Sequence, residues 1–169
     1  MKKHIVVLTG AGISAESGVK TFRDHDGLWE GHDVMQVASI QGFSNNPELV
    51  LDFYNQRRKQ LKQVEPNAAH VVLAELEKKY EVSIVTQNVD DLHERAGSKN
   101  VLHLHGELRK VRSIGNPADI KIWTEDIKLG DLCDHGYQLR PHIVWFGEDV
   151  PMIEKAVAIC ETADILMII

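Results

Sequence analysis

Cysteine is nearly missing from this chain, with only Cys133 and Cys160 among 169 residues. They sit too far apart for a C-x-x-C motif, which excludes a disulfide framework and a cysteine-built zinc site and leaves both thiols reduced. No long apolar run is present either. Only Ile5-Val-Val-Leu8 separates the polar Met-Lys-Lys-His start from Thr9-Gly10, too little for a signal-peptide core or a membrane span. A cytoplasmic protein without membrane attachment is predicted. Basic excess is also lacking: a formal net charge of −6 speaks against a groove tracking phosphate backbones, and so against nucleic acid as a partner, despite the local patch Arg57-Arg58-Lys59. Internal repeats and low-complexity tracts are absent. What remains is 43% hydrophobic and 26% charged, a globular composition whose length suits one domain over residues 1–169.

The apolar pattern divides the chain. Residues 4–8 are largely β-branched or aliphatic and read as a buried strand feeding the glycine-rich turn at Thr9-Gly10. After Pro47, Leu49, Val50, Phe53, Tyr54, Arg57, Leu61 and Val64 recur at helical spacing. After Pro66 and Asn67, so do Ala69, Val72, Leu73, Leu76 and Tyr80. Further strands are predicted at 82–86, 101–104 and 163–169, the last preceded by a helix over 151–161. This alternation predicts an α/β fold with a doubly wound, Rossmann-like, mostly parallel sheet. Residues 109–138, punctuated by Gly115-Asn-Pro117, Gly130-Asp131 and Asp134-His-Gly136, lack periodicity and read as a small inserted lobe or long loop. The chain stops at an apolar strand whose carboxyl end should carry a ligand loop, so the domain is read as truncated at its C-terminus.

Gly10-Ala-Gly12-Ile-Ser-Ala15 after a strand matches a dinucleotide fingerprint, in which small residues let backbone N–H groups approach a pyrophosphate at a helix N-terminus. Taken alone it is equally a strand-to-helix turn needing glycine for geometry. A hydride-transferring dehydrogenase would place a second strand and a ribose-binding acid about 20 residues on. Here Thr21-Phe-Arg-Asp-His-Asp-Gly-Leu-Trp29 is loop, which disfavours that reading.

Thr86-Gln-Asn-Val-Asp90 follows the second strand and falls at the same sheet edge. Gln87, Asn88 and Asp90 offer amide and carboxylate partners to ribose hydroxyls and a carboxamide, while Asp90 or Asp91 equally suits capping a short helix that Gly97 ends. In Val101-Leu-His-Leu-His-Gly106 the histidines share one strand face and the leucines the other. Three readings stand side by side: structural histidines, a His-x-His metal pair, or a general base. His105 is the better base, since such sheets do chemistry at strand ends.

Taken together, Gly10 to Arg23, Thr86-Gln-Asn-Val-Asp90, His103-Leu-His-Gly106 and Leu139-Arg-Pro-His-Ile-Val-Trp-Phe-Gly-Glu148 resemble the sirtuins, in order and across nearly the whole chain. The resemblance implies an NAD-dependent protein-lysine deacylase, with NAD consumed as co-substrate and nicotinamide and O-acyl-ADP-ribose as products. It implies that Gly10, Ala11, Gly12, Ile13, Ala15, Phe22, Arg23 and Trp29 belong to the NAD-binding loop, that Gln87, Asn88 and Asp90 line the ribose and nicotinamide region, and that His105 is the base. Val144, Trp145, Phe146 and Gly147 would pair their backbone with an acylated-lysine peptide, a β-augmentation mode. Tyr54 and Arg57, one helical turn apart, resemble the tyrosine–arginine pair of sirtuins that remove succinyl or malonyl groups, since arginine and a phenol can grip a carboxylate.

The chain departs from the family pattern in two respects: its end at Ile169, past which the family continues with a Gly-Thr-Ser loop and segments that hold the adenine and its ribose, and its cysteines. Most sirtuins carry four zinc-binding cysteines between the catalytic histidine and the Leu-Arg-Pro block, whereas residues 109–138 hold only Cys133. No zinc is expected, and the lobe should be held by packing around Ile120, Ile122 and Trp123. The competing functions are NAD hydrolysis or ADP-ribosyl transfer in the same site, a non-catalytic NAD- or ADP-ribose-binding module, and a metal-dependent hydrolase built on His103, His105 and Asp90-Asp91.

Overall fold

The structure, a computed structural model, describes residues 2–20 and 28–169. In chain order the elements are β1 (His4–Thr9), α1 (Gly12–Ala15), β2 (Leu28–Trp29), β3 (His32–Asp33), α2 (Val34–Val37), α3 (Ile40–Asn45), α4 (Pro47–Leu61) and α5 (Ala68–Leu76). There follow β4 (Glu81–Thr86), α6 (Leu92–Arg95), β5 (Val101–His103), β6 (Gly106–Ser113), β7 (Ile120–Ile122), β8 (Leu139–Ile143), α7 (Ile153–Glu161) and β9 (Ile165–Ile168). The chain forms two compact units, one from Met1–Thr21, Val64–His105 and Val150–Ile169, the other from Phe22–Gln63 and Gly106–Asp149.

The first unit is built on a four-stranded sheet ordered β5-β4-β1-β9, parallel at every pairing. Strand alternation explains why both faces are covered. Ile5 and Val7 turn to one side and pack with Ile13, Leu73, Val82 and Ile84, while Val6 turns to the other and packs with Val85, Leu102, Leu104 and Ala156. Helix α5 thus covers one face and α7 the other, the doubly wound arrangement that the alternation predicts. Leu102 and Leu104 share a face, as expected, although β5 itself ends at His103. Register sets Thr9 beside Thr86 and Thr86 beside His103, so three strands finish level at their carboxyl ends.

The second unit carries an antiparallel three-stranded sheet ordered β7-β6-β8. The segment 109–138 is therefore more regular than its sequence suggests, since it contains most of β6 and all of β7. Its period of two is hidden because the β6–β8 register shifts between Glu107 and Val111, and such a bulge reverses which residues face inward. Gly106 opens β6 at φ +83°, where a Cβ would lie 2.0 Å from the His142 carbonyl oxygen, so this position admits only glycine.

One core cluster of this unit is Leu51, Val111, Ile127, Cys133 and Leu139, with Phe43 and Trp123 packed against it. Of the three residues expected to hold the lobe, only Trp123 does so. Ile120 and Ile122 are 44% and 78% exposed on a short edge strand. Buried polar groups of α4 add the rest. Asn55 exchanges hydrogen bonds with the backbone of Ile127 (2.9 and 2.8 Å), and Arg58 donates to the Leu108 carbonyl (2.9 Å) and to Asn55 (2.8 Å). No described helix is long and apolar enough to cross a membrane.

Candidate active site

The level strand ends of the first unit bring its polar residues together. Thr9 Oγ1 donates to Thr86 Oγ1 (2.8 Å), and His93 Nε2 lies 3.1 Å from Thr9 Oγ1. Beyond β1 the chain passes through Gly10, Ala11 and Gly12 into α1, a single helical turn where the fingerprint predicts a longer helix. The amides of Ile13 and Ser14 fold back on the carbonyls of Gly10 and Ala11 (3.3 and 3.2 Å). Ile13 itself is a core residue, whereas Ala11, Gly12 and Ala15 are exposed. A Cβ placed on Gly10 or Gly12 would meet no atom within 4 Å, and neither residue has positive φ. Nothing among the described residues thus requires glycine there. Bare backbone facing open space is what close approach of a pyrophosphate requires, so this loop fits a dinucleotide.

At the end of β4, Asn88 and Asp90 are buried and Gln87 is exposed. Asp90 bridges the two loops: Oδ2 accepts from Ser14 Oγ (2.9 Å) and Oδ1 from the Leu92 amide (3.1 Å). It therefore caps α6, while Asp91 at the N-cap position makes no side-chain capping bond. Burial raises the Asp90 carboxyl, against the hydrogen bonds from Leu92 and Ser14. Asn88 Nδ2 donates to Ser14 Oγ (3.1 Å), and the Asn88 amide donates to Thr86 Oγ1 (3.0 Å). The polar residues of the motif thus first satisfy each other, as buried polar groups must.

The two histidines differ in environment. His103 is 8% exposed, with Nδ1 2.8 Å from the Asn88 carbonyl and Nε2 2.7 Å from Glu94 Oε1. Both of its nitrogens are engaged, which argues against the His-x-His metal pair. His105 is half-buried, with Nδ1 3.1 Å from the Gln87 carbonyl. A carbonyl only accepts, so the neutral ring carries its proton on Nδ1 and its lone pair on Nε2, the form a general base needs. Among the described residues no group of three or more His, Cys, Asp or Glu is placed to hold a metal ion. The Cys133 thiol takes a hydrogen bond from Ser113 Oγ (3.3 Å) inside the apolar core, and a lone thiol is a poor donor set for zinc.

In the second unit, Tyr54 is fully buried and its hydroxyl accepts from Trp145 Nε1 (2.9 Å). Burial raises the phenol, so it keeps its proton. The Arg57 guanidinium stacks 5.0 Å from the Phe53 ring centroid, and its Nη1 lies 3.8 Å from Glu30, beyond hydrogen-bond reach. Its Nε and Nη1 are buried without a hydrogen-bond acceptor among the described residues. Trp29 packs edge-on against Phe53 (4.9 Å) and Tyr54 (6.2 Å). Residues 144–147 follow β8 without extending it, and Gly147 turns the chain at φ +88°. Trp145 is buried with its amide donating to Glu148 Oε2 (2.8 Å), and the Phe146 amide donates to the Ala38 carbonyl (2.9 Å). Backbone pairing of this segment with an extended peptide would therefore use other groups than these two amides.

Phe22 and Arg23 lie outside the described residues. Sequence reasoning missed Ser14, Glu94 and the buried edge-to-face His70–His93 pair, whose ring centroids are 4.9 Å apart. It also missed the cluster in which Arg112 and Arg140 both grip Glu148 (2.7 to 3.1 Å). Two like charges far apart in sequence give no spacing signal. Ser14 and Glu94 stand inside the motif blocks but look like ordinary loop and helix-surface residues.

Known proteins share this arrangement. The Sir2 family model matches residues 10–169. A protein of Helicobacter pylori (strain ATCC 700392 / 26695) named NAD-dependent protein deacylase is 62% identical over 167 residues, which cover 99% of this chain and 73% of that protein. Among solved structures, a Sir2 homologue in complex with NAD superposes with TM-score 0.86 at 44% identity, covering 99% of this chain and 67% of that one. A Sir2 homologue mutant in complex with ADP-ribose superposes at 0.88 with 43% identity, covering 99% and 69%. The fold is thus shared with these structures, and the chain belongs to the Sir2 family.

Proposed function

We propose that this chain is an NAD-dependent protein-lysine deacylase that favours acidic acyl groups, succinyl or malonyl, over acetyl. Bound NAD would supply the electrophilic ribose carbon and nicotinamide as leaving group. The Gly10–Gly12 backbone, with Gln87, Asn88 and Asp90 beside it, would hold that co-substrate. His105 would take a proton from a ribose hydroxyl on Nε2, because Nδ1 is committed to the Gln87 carbonyl. That contact, and the tautomer it implies, is the observation supporting the chemistry.

The acyl preference rests on Arg57, whose buried Nε and Nη1 lack a hydrogen-bond acceptor among the described residues. Leaving such donors unmet is costly, and a carboxylate meets both at once. Tyr54, kept protonated by its burial and oriented by Trp145, keeps its own O–H to donate. Val144, Phe146 and Gly147 would contact the peptide around the acylated lysine, and the small lobe would fold without zinc.

Mass spectrometry of acetyl-lysine and succinyl-lysine peptides, with and without NAD and with His105→Ala, tests this reading. The expected result is NAD-dependent loss of both acyl groups, faster for succinyl, and a rate lower by about 10²–10⁴-fold in His105→Ala. NAD cleavage without peptide deacylation would instead mark an NAD hydrolase or ADP-ribosyltransferase. NAD or ADP-ribose binding without turnover would mark a sensing module.

A further inference from the structure

The Glu94–His103 contact has no part in the chemistry above, yet it lies directly behind the residues that do. His103 Nδ1 is 2.8 Å from the Asn88 carbonyl oxygen, and Nε2 is 2.7 Å from Glu94 Oε1. A carbonyl accepts and never donates, and an ionised carboxylate likewise. Both contacts are hydrogen bonds only if both ring nitrogens carry protons, which makes the ring an imidazolium. Burial works to raise the Glu94 carboxyl, but the hydrogen bond and charge of His103 outweigh it and hold Glu94 below its ordinary value. Glu94 is therefore the anion of the pair.

What the cation grips matters for the reaction. The Asn88 carbonyl is held by His103, and the preceding carbonyl, of Gln87, is held by His105 (3.1 Å). Two histidines from one strand end thus clamp consecutive peptide units of the same turn. Its remaining contacts are ordinary neutral bonds: the Gln87 amide to the Thr9 carbonyl (3.0 Å) and the Asn88 amide to Thr86 Oγ1 (3.0 Å). The His103 bond is charge-assisted, and such bonds are roughly twice as strong as neutral ones. If the turn loosens, the Gln87 carbonyl no longer dictates which nitrogen of His105 is the base, and the Asn88 side chain leaves Ser14 of the glycine loop.

We infer that Glu94 and His103 form a positioning pair, an imidazolium–carboxylate couple of a buried ring and a partly exposed carboxylate, that locks the Gln87–Asn88 turn and so holds His105 in its base-competent tautomer. The kinetic consequence rests on the deacylase reading; the protonation state does not.

Nitrogen-resolved NMR of histidine-labelled full-length protein at pH ~8, above the ordinary histidine value of about 6.5, tests the state. The expected spectrum shows His103 protonated on both ring nitrogens and His105 neutral with its proton on Nδ1. A His103 ring with one bare nitrogen at that pH overturns the inference whatever the enzyme does. In kinetics, Glu94→Gln and His103→Leu should lower kcat roughly tenfold, short of the ~10²-fold that a 1 Å misplacement can cost, with KM for the acyl peptide unchanged. His105 in these variants should populate both tautomers. His103→Gln, whose amide keeps donors for both acceptors, should recover most of the rate. Variants that keep wild-type kcat and a single His105 tautomer refute the positioning role.

Discussion

Replacing Arg57 by Met separates the acidic-acyl reading from an ordinary structural arginine, because the two predict opposite changes in stability. Arg57 has two buried donors without an acceptor among the described residues, a stacking contact with Phe53 at 5.0 Å and a Glu30 carboxylate at 3.8 Å. Each unmet buried donor costs about 1–3 kcal/mol. The cation–π contact returns about 0.5–1 kcal/mol, and the largely buried Glu30 pair, too long at 3.8 Å for a hydrogen bond, returns on the order of 1 after desolvation of both charges. Methionine keeps the length and apolar stem while removing the unmet donors. Arg57→Met should therefore leave stability unchanged or raise it by about 1 kcal/mol, equivalent to a Tm higher by roughly 2–4 °C for a protein of this size.

Activity should move the other way, and selectively. Two charge-assisted hydrogen bonds to a succinyl carboxylate, at the low end of about 1.5 kcal/mol each, amount to about 3 kcal/mol, or on the order of 10²-fold in kcat/KM. An acetyl group has no carboxylate to lose, so its kcat/KM should change little. The assay is the ratio of desuccinylation to deacetylation by mass spectrometry, with thermal melts of both proteins in the presence and absence of succinate, which should stabilise only the wild type. Equal falls on both substrates together with a lower Tm would refute the reasoning, since Arg57 would then be a cation the fold depends on.

Two further outcomes follow from buried charge. Glu148→Gln removes the negative charge shared by Arg112 and Arg140 and one of the two oxygens that they and the Trp145 amide use; stranding buried arginines should cost about 3–5 kcal/mol, read as a lower denaturation midpoint at constant m-value, and an unchanged midpoint would show the cluster to be solvated. Burial first, with the neighbouring charges of His70 and Arg112 respectively, lowers His93 and His142 to about 4. Between that value and ~6.5 the unfolded chain binds protons that the folded chain refuses, so stability should fall as pH drops through this window. A Tm that stays flat from pH ~6.5 to ~5 would contradict this, and His93→Asn should shallow the slope.

The strands and helices of the first unit were legible because each buried face has a simple period. Ile5 to Leu8 alternate between two cores, and the series ending at Leu76 repeats every helical turn. The second unit was less legible for specific reasons. A bulge resets the alternation inside β6, β7 is three residues long, and part of what holds the unit together is polar: Asn55 clamping Ile127 and two arginines sharing Glu148. Isoleucines 120 and 122 look like core by composition, yet an edge strand leaves them in solvent. Hydrophobicity predicts burial only where the topology supplies something to bury against.

The site residues were readable as a group but not by role, and the hydrogen bonds show why. Asp90, Asn88 and Ser14 occupy positions suited to contacting a ribose, yet each spends its polar atoms on the others. His103 and His105 are the same residue two positions apart, and only their partners distinguish the ring proposed as a clamped cation from the one proposed as the base. A motif records that a set of residues is needed together; it does not record which of them touches the ligand and which hold those that do. Such roles follow from donors and acceptors counted atom by atom. By that count His105 retains a lone pair and Arg57 retains two donors, while most of the polar atoms around them are already committed.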